Sequence, residues 1–343
     1  MAESEEFIRT ELEGGVGRIT LNRPAALHAL NLPMVERLGE VLEAWREEPL
    51  SAVVIDSSGS KAFCAGGDIR AIQQNTLNGK QECNKSFFAT EYKLNYTLAT
   101  YSRPLVSLID GICMGGGLGV SVHGHFRVAT EATQLAMPET SIGFFPDVGA
   151  SFFLSRLPGS LGMYLGLTGT RIGPADALYT GLATHLTSSR DIDGIVPALR
   201  NRGSKSVDMV LRSFCKPNPV SSSELAKRRS AIDWCFGAPS LALILNRLEQ
   251  HGEVWSAEQH EVLKKACPQS LQVTFDLISQ ARELDLAACL EAELTAACYI
   301  TKTPDFIEGV RAALVDKDRR PKWSTSLDDQ KLAIFLNAAD SGG

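Results

Sequence analysis

The sequence predicts an α/β fold with a helical C-terminal region, on three observations. Up to about residue 190, short apolar runs alternate with longer segments of helical periodicity, and from about residue 222 the strand signals stop. The chain is also 343 residues long, enough for about two domains at ~150 residues each and for a sizeable core without disulfide or metal staples.

Taken in order, VGRITL from Val16, SAVVID from Ser51 and PLVSLID from Pro104 are apolar runs of strand length. Between them lie PMVERLGEVLEAW from Pro33 and the segment 84–100, whose apolar residues recur at helical spacing. This alternation argues a sheet with crossover connections. Four later segments read as helices: SSELAKRRSAIDWCF from Ser222, PSLALILNRLEQHG from Pro239, PQSLQVTFDLISQARELD from Pro268 and TPDFIEGVRAALV from Thr303. Ser, Thr or Pro opens them, as helix starts prefer. The stretch from Asp191 to Ser223, with Pro197, Gly203, Pro217 and Pro219, reads as the boundary. The expected division is an α/β core over residues 1–200, carrying the site, and a helical region over 201–343.

Forty acidic against 34 basic residues leave a net charge of -6, which gives no general attraction to nucleic acid or to an anionic membrane. A polyanionic ligand needs a local basic patch. The cysteines, Cys64, Cys83, Cys113, Cys215, Cys235, Cys267, Cys289 and Cys298, are scattered with no C-x-x-C pair, and read as buried thiols of a reducing compartment. No apolar run reaches the ~18 residues of a membrane span. The acidic start, MAESEEFIRT, is unlike a basic signal or transit peptide. The expectation is a soluble chain with no metal site and no nucleic-acid or membrane partner.

Common catalytic signatures are excluded by spacing. There is no Walker A and no G-x-G-x-x-G, and His260-Glu261 has Lys264 where an H-E-x-x-H zinc site needs its second histidine. Gly119 to His123 misses the G-x-S-x-G elbow by its last residue, so Ser121 reads as a helix residue. His123 and His125 flank Gly124 and read as packing residues.

Two glycine-rich turns are more informative. Gly115 to Gly117 follow a strand signal and open the apolar run LGVSV; Phe63-Cys64-Ala65-Gly66-Gly67-Asp68-Ile69 follows the SAVVID strand. Glycine lets a backbone approach a ligand, and two such turns can aim one N–H each at a single oxygen, the geometry of an oxyanion hole. Either turn alone is better explained by tight helix–strand packing, whereas the pair together points to function.

Between residues 135 and 154, LAMPETSIGFFPDVGASFFL holds two acids, Glu139 and Asp147, each directly after a proline and among apolar neighbours. Such surroundings raise a carboxyl pKa and suit proton transfer near neutral pH. The structural alternative has Asp147 capping the next helix and Glu139 in a first helical turn. Glu91 lies on an apolar stripe with Phe87, Phe88, Leu94 and Leu98, where an acid either pairs with a buried partner or lines a cavity.

Together, F-C-A-G-G-D-I (63–69), M-G-G-G (114–117) and M-P-E-T-S-I-G-F-F-P-D-V-G (137–149) resemble the crotonase, or enoyl-coenzyme A (CoA) hydratase/isomerase, superfamily. Within it the resemblance is to the 3-hydroxyisobutyryl-CoA hydrolase branch. It runs from about Gly17 to Trp323 and includes S-V-H-G-H-F-R-V-A-T (121–130) and D-F-I-E-G-V-R-A-A-L-V-D-K-D-R-R-P-K-W (305–323). Two departures stand in L-N-R-P-A-A-L-H-A-L (21–30): His28 replaces the usual asparagine, and Ala25 stands where lysine is frequent.

The resemblance implies a spiral of ββα units and a substrate-binding set of Glu91, Gly116, Glu139 and Asp147. The thioester carbonyl is held by the amides of Gly67 and Gly116. Glu139 is the catalytic glutamate, Asp147 the aspartate that marks the hydrolase branch, and Glu91 a substrate contact. Hydratases carry a further glutamate in G-G-G-x-E; that position is Gly119 here. The implied activity is hydrolysis of a short-chain 3-hydroxyacyl-CoA, as in valine catabolism in the mitochondrial matrix. CoA is part of the substrate, there is no separate cofactor, and a homo-oligomer is possible. The alternatives are enoyl thioester hydration or isomerisation, and a non-catalytic role such as that of mitochondrial ribosome subunits.

Overall fold

The computed structural model describes residues 7–59, 61–216 and 220–324. The chain forms two compact units, each assembled from three segments. The first comprises Met1–Gly67, Lys93–Ala136 and Arg171–Lys227; the second comprises Asp68–Tyr92, Met137–Thr170 and Arg228–Gly343. Neither unit is a continuous stretch of chain. Strands and early helices do not outline a unit by chain order alone, because each unit closes only with a later segment.

The first unit holds the sheets. Strands β1 (Ile8–Glu13) and β2 (Val16–Leu21) form an antiparallel hairpin. Its turn, Gly14 and Gly15, has φ of 58° and 71°, a conformation that glycine adopts without steric cost. Parallel strands then add in the order β3 (Ala52–Ser57), β5 (Leu105–Ile109), β7 (Phe126–Ala129) and β9 (His185–Leu186). A second parallel sheet consists of β4 (Ala62–Cys64), β6 (Ile112–Met114) and β8 (Gln134–Ala136). Chain order steps from the large sheet to the small one three times, β3 to β4, β5 to β6 and β7 to β8, which is the expected ββα spiral.

Parallel strands covered on both faces read as continuous apolar runs, and every residue of β5 is buried. Val16, Ala52, Val54, Val106, Leu108 and Val128 pack against Ile195, Val196 and Leu199 of the helix Ile195–Arg200 and against Val207, Val210 and Leu211 of the helix Val207–Ser213. Residues between Ile192 and Phe214 thus belong to the sheet's core, although the stretch from Asp191 to Ser223 read as a boundary.

Beyond β9 the regular elements of the described residues are helical. The segment from Ser222 divides into Glu224–Lys227 and Arg229–Phe236, and the three later predicted segments form Leu241–His251, Pro268–Gln280 and Pro304–Val310. Ser240 and Thr303 cap two of them by accepting the amides of Leu243 and Phe306. The cysteine expectation holds for Cys64, Cys113, Cys235, Cys267 and Cys289, which are buried free thiols; Cys83 and Cys215 are exposed and Cys298 is half-buried. No helix among the described residues is long and apolar enough to cross a membrane.

Candidate active site

In the first unit the two glycine turns follow neighbouring parallel strands, since Cys64 of β4 pairs with Cys113 of β6. The turns touch. Gly66 has φ of +111°, and a Cβ there would stand 3.3 Å from the Met114 carbonyl oxygen and 3.8 Å from the Gly116 nitrogen. A Cβ on Gly117 would collide with the Cys64 carbonyl oxygen. The first turn is pinned by Leu30 N–H donating to the Gly66 carbonyl (2.8 Å) and Ala65 N–H donating to the Leu27 carbonyl (3.0 Å).

Among the described residues neither Gly67 N–H nor Gly116 N–H donates to a backbone carbonyl, so both remain open to another acceptor. The run LGVSV forms less helix than expected. The helix spans only Gly116–Gly119, and Ser121 lies in the turn beyond it, its hydroxyl donating to the Gly117 carbonyl at 2.9 Å.

The second unit gathers the three expected acids. Glu91 and Tyr92 belong to the helix Gln81–Ala99, Glu139 opens a 3₁₀ helix, Glu139–Ile142, and Asp147 follows it. All three carboxyls are buried. Tyr92 donates its hydroxyl to Asp147 Oδ2 at 2.8 Å, whereas Glu91 Oε1 and Glu139 Oε2 have no hydrogen-bond partner. Such orphaned buried oxygens are costly, and they mark a place where a ligand's donors fit.

Burial pushes Glu91 well above the ordinary carboxyl range, and the neighbouring Asp147 and Glu139 charges push it further. Glu139 is raised by burial and then by Asp147. Asp147 is raised by burial to about 7 despite the opposing Tyr92 hydrogen bond. Burial and mutual repulsion thus make each of these carboxyls harder to ionise than an ordinary one, and each charge acts on its neighbours.

The structural alternatives divide. Glu139 does occupy a first helical turn. Asp147 does not cap the next helix, Ala150–Ser155, which opens at Gly149. That part is played by Glu293, a residue the sequence reading missed: its carboxylate accepts Gly149 N–H at 2.7 Å and Ser151 N–H at 2.9 Å. The signal was present. On the helix Leu286–Ile300, Glu293 shares a buried face with Leu286, Cys289, Leu290, Ala296, Ala297 and Ile300, the same pattern that singled out Glu91.

The segment between Glu139 and Asp147 is fixed by aromatic packing and close backbone approach. Phe144 stacks on Phe88 and Phe145 with ring centroids 5.6 and 4.6 Å apart, and meets Phe306 edge-on at 5.9 Å. Gly143 has φ of +73°, and a Cβ there would collide with the Asp305 carbonyl; a Cβ on Gly309 would collide with the backbone of Ile142. The late D-F-I-E-G motif is therefore the wall behind the F-F-P-D segment.

His28, the departure noted above, is a turn lock in the first unit. It is buried at φ of 58°, and its Nδ1 accepts Arg23 N–H at 3.0 Å. That leaves the proton on Nε2, which donates to the Ser58 carbonyl at 3.0 Å. His125 accepts Leu105 N–H at 3.3 Å through Nδ1, a packing role as expected.

Comparison with known proteins agrees with this architecture. The enoyl-CoA hydratase/isomerase family profile matches residues 16–333. A probable 3-hydroxyisobutyryl-CoA hydrolase 3 of Arabidopsis thaliana is 41% identical over 339 residues, covering 96% of this chain and 90% of the relative. A 3-hydroxyisobutyryl-CoA hydrolase of Danio rerio, named mitochondrial, is 43% identical over 325 residues, covering 92% and 84%. The crystal structure of a carnitinyl-CoA dehydratase from Mycobacterium thermoresistibile superposes with a TM-score of 0.90 at 36% identity, with 96% of each chain covered. That of an enoyl-CoA hydratase from Rhodobacter sphaeroides 2.4.1 gives 0.88 at 34% identity, with 96% of this chain and 97% of that one covered. With its strand order, its paired glycine turns and a profile match over most of its length, the chain belongs to the enoyl-CoA hydratase/isomerase family.

Proposed function

We propose that this chain hydrolyses a short-chain 3-hydroxyacyl-CoA thioester, 3-hydroxyisobutyryl-CoA above all, to the free hydroxy acid and CoA. The observation that carries the reading is the buried set of Glu91, Glu139 and Asp147, combined with glycine at position 119. A hydratase of the two-glutamate type needs a carboxylate at that position to add water across a double bond. Relatives named 3-hydroxyisobutyryl-CoA hydrolases, at about 40% identity over nearly the whole chain, support the same branch. The CoA moiety belongs to the substrate, so no separate cofactor enters the proposal. Relatives from Danio rerio and Xenopus tropicalis are named mitochondrial, and we place this chain in the same compartment.

A thiolate is a good leaving group, with a conjugate-acid pKa of about 8.5 in the cysteine reference. The reaction therefore needs oxyanion stabilisation and a nucleophile more than a strong acid. In this reading Gly67 and Gly116 N–H receive the oxyanion of the tetrahedral intermediate, one such donor being worth roughly 3 kcal/mol. Glu139 in its ionised form either attacks the thioester carbonyl, giving an anhydride that water then opens, or takes a proton from an attacking water. Asp147, held by Tyr92, orients Glu139 or that water. Glu91 accepts a hydrogen bond from the substrate hydroxyl, which selects hydroxylated acyl groups.

Thiol release over a panel of acyl-CoA esters tests the proposal, with hydration of crotonyl-CoA followed beside it. The expected result is hydrolysis of 3-hydroxyacyl esters with slow or undetectable hydration. Hydration outrunning hydrolysis would put the protein with the hydratases.

A further inference from the structure

The turn that carries Asp147 is strained. The Asp147 carbonyl accepts Ala150 N–H at 2.9 Å across Val148 and Gly149, whose φ values are 57° and 82°. A turn with positive φ at both central positions suits glycine or asparagine, whereas a β-branched side chain is crowded there. Such a conformation persists only where the surroundings over-determine it.

Glu293 supplies that determination. Its side chain is fully buried, Oε2 accepts Gly149 N–H at 2.7 Å, and Oε1 accepts Ser151 N–H at 2.9 Å and the Ser151 hydroxyl at 2.5 Å. Both oxygens accept hydrogen bonds, which favour the ionised form against the burial that opposes it. On the other side of the turn Asp147 Oδ2 accepts the Tyr92 hydroxyl.

We propose that Glu293 is a positioning residue, whose carboxylate clamps the exit of the Asp147–Val148–Gly149 turn and so fixes the Asp147 carboxylate against Tyr92. Burial raises Glu293 to about 8 against the opposing hydrogen bonds from Ser151 and Gly149, and the nearby Asp147 charge adds to the raise. A plain helix cap would affect stability and would alter Asp147 only through the loss of a nearby charge, which Val148→Gly does not restore. The kinetic part of the test rests on the hydrolase reading; the spectroscopic part does not.

Glu293→Gln leaves one acceptor oxygen, so either Gly149 N–H or Ser151 N–H faces an amide NH₂. Loss of one charge-assisted hydrogen bond lowers kcat about 10- to 100-fold with KM within ~3-fold. Since Glu293 works through Asp147, adding Glu293→Gln to Asp147→Asn costs little beyond Asp147→Asn alone. Val148→Gly removes the strain that the clamp opposes, so the Val148→Gly, Glu293→Gln pair recovers most of the lost turnover. An unchanged kcat, or independent additive losses in the Asp147→Asn background, overturns the proposal.

The second arm follows the Asp147 carboxyl by ¹³C NMR in the free protein, assigned with Asp147→Asn. Its titration moves in Glu293→Gln and returns when Val148→Gly is added. If this shift occurs while the wild type hydrolyses no thioester, the clamp stands and the hydrolase reading falls. If the wild type hydrolyses thioesters while Asp147 is indifferent to Glu293, the clamp falls alone. Should Glu293→Gln not fold, Ser151→Ala removes one donor and keeps both amides. It should shift Asp147 in the same direction and lower kcat about threefold, and no shift there overturns the clamp as well.

Discussion

At Glu139 a buried carboxyl lies among like charges with one oxygen unpartnered, and that sets what its variants do. Glu139→Gln keeps the shape and removes the charge. Thiol release should fall by a factor of roughly 10² to 10⁴, while binding of a non-hydrolysable thioether analogue, followed by calorimetry, stays near wild type. Turnover within a few-fold of wild type would return Glu139 to its first-turn role. Only the ionised form acts as base or nucleophile, and its pKa is raised, so activity is present at high pH and is lost as pH falls through that raised value. The acid limb of kcat should lie well above the ordinary carboxyl value of about 4.3. Asp147→Asn removes one of the two causes of the raise, so the limb of the residual activity should move to lower pH; an unmoved limb would dissociate the two groups. Glu91→Ala should reduce turnover of hydroxylated acyl esters by a further ~10- to 100-fold relative to acyl groups without the hydroxyl. An equal loss for both would make Glu91 structural. Glu139, Asp147 and Glu91 were legible because apolar neighbours surround each in the sequence itself. Glu293 was harder to see, since the amides it serves lie 144 and 142 residues earlier and the exposed Glu291 beside it suggests a solvated face.

At the scale of elements, long periodic segments were readable and very short ones were not. β4, β6 and β8 have three residues each, too few for a period-2 pattern, yet they deliver both glycine turns. The turns themselves were legible because glycine in series is rare without a backbone reason, and here a Cβ on Gly117 would strike Cys64. The late D-F-I-E-G motif gains a physical account in the same way. Gly309→Ala drives a methyl group into the Ile142 backbone, directly behind the segment that carries Glu139. We expect a loss of about 1–3 kcal/mol or more in urea unfolding, together with reduced activity. Gly39→Ala, at a helical glycine with open space around its Cβ position, is the matched control and should be neutral or stabilising. Equal stability of the two variants would show that the Ile142 contact relaxes freely.

For the molecule as a whole, a buried acid whose folded pKa is raised favours the folded state most below its unfolded pKa. That advantage is lost as pH rises towards the folded value, because the unfolded chain then ionises and the folded one does not. Asp147, raised to about 7, should therefore weaken the protein progressively between about pH 4 and 7, with the loss levelling off above that. Asp147→Asn can still accept the Tyr92 hydroxyl. Its Tm should exceed that of wild type at pH 8 and converge with it near pH 4, and a constant gap would show that the carboxyl is not the source. Domain boundaries were the least legible property, since each compact unit draws on three separated segments and no composition shift marks how they recombine. A chain ending at residue 200 lacks the last segment of the second unit entirely and should give no cooperative unfolding transition by circular dichroism. A two-state transition in that fragment would restore the simpler division.

The placement of Glu293 also imposes a schedule on synthesis. Glu293 follows Gly149 by 144 residues, so at ~5–20 residues per second the Asp147 turn emerges from the ribosome about 7–30 s before the carboxylate that holds it. During that interval the nascent chain carries a crowded Val148 turn with nothing to enforce it, and the turn is free to relax to an ordinary conformation. The acid set is consequently built late, and a chain stalled before the helix Leu286–Ile300 should be cut readily by protease around residues 146–150 while a chain that includes that helix resists.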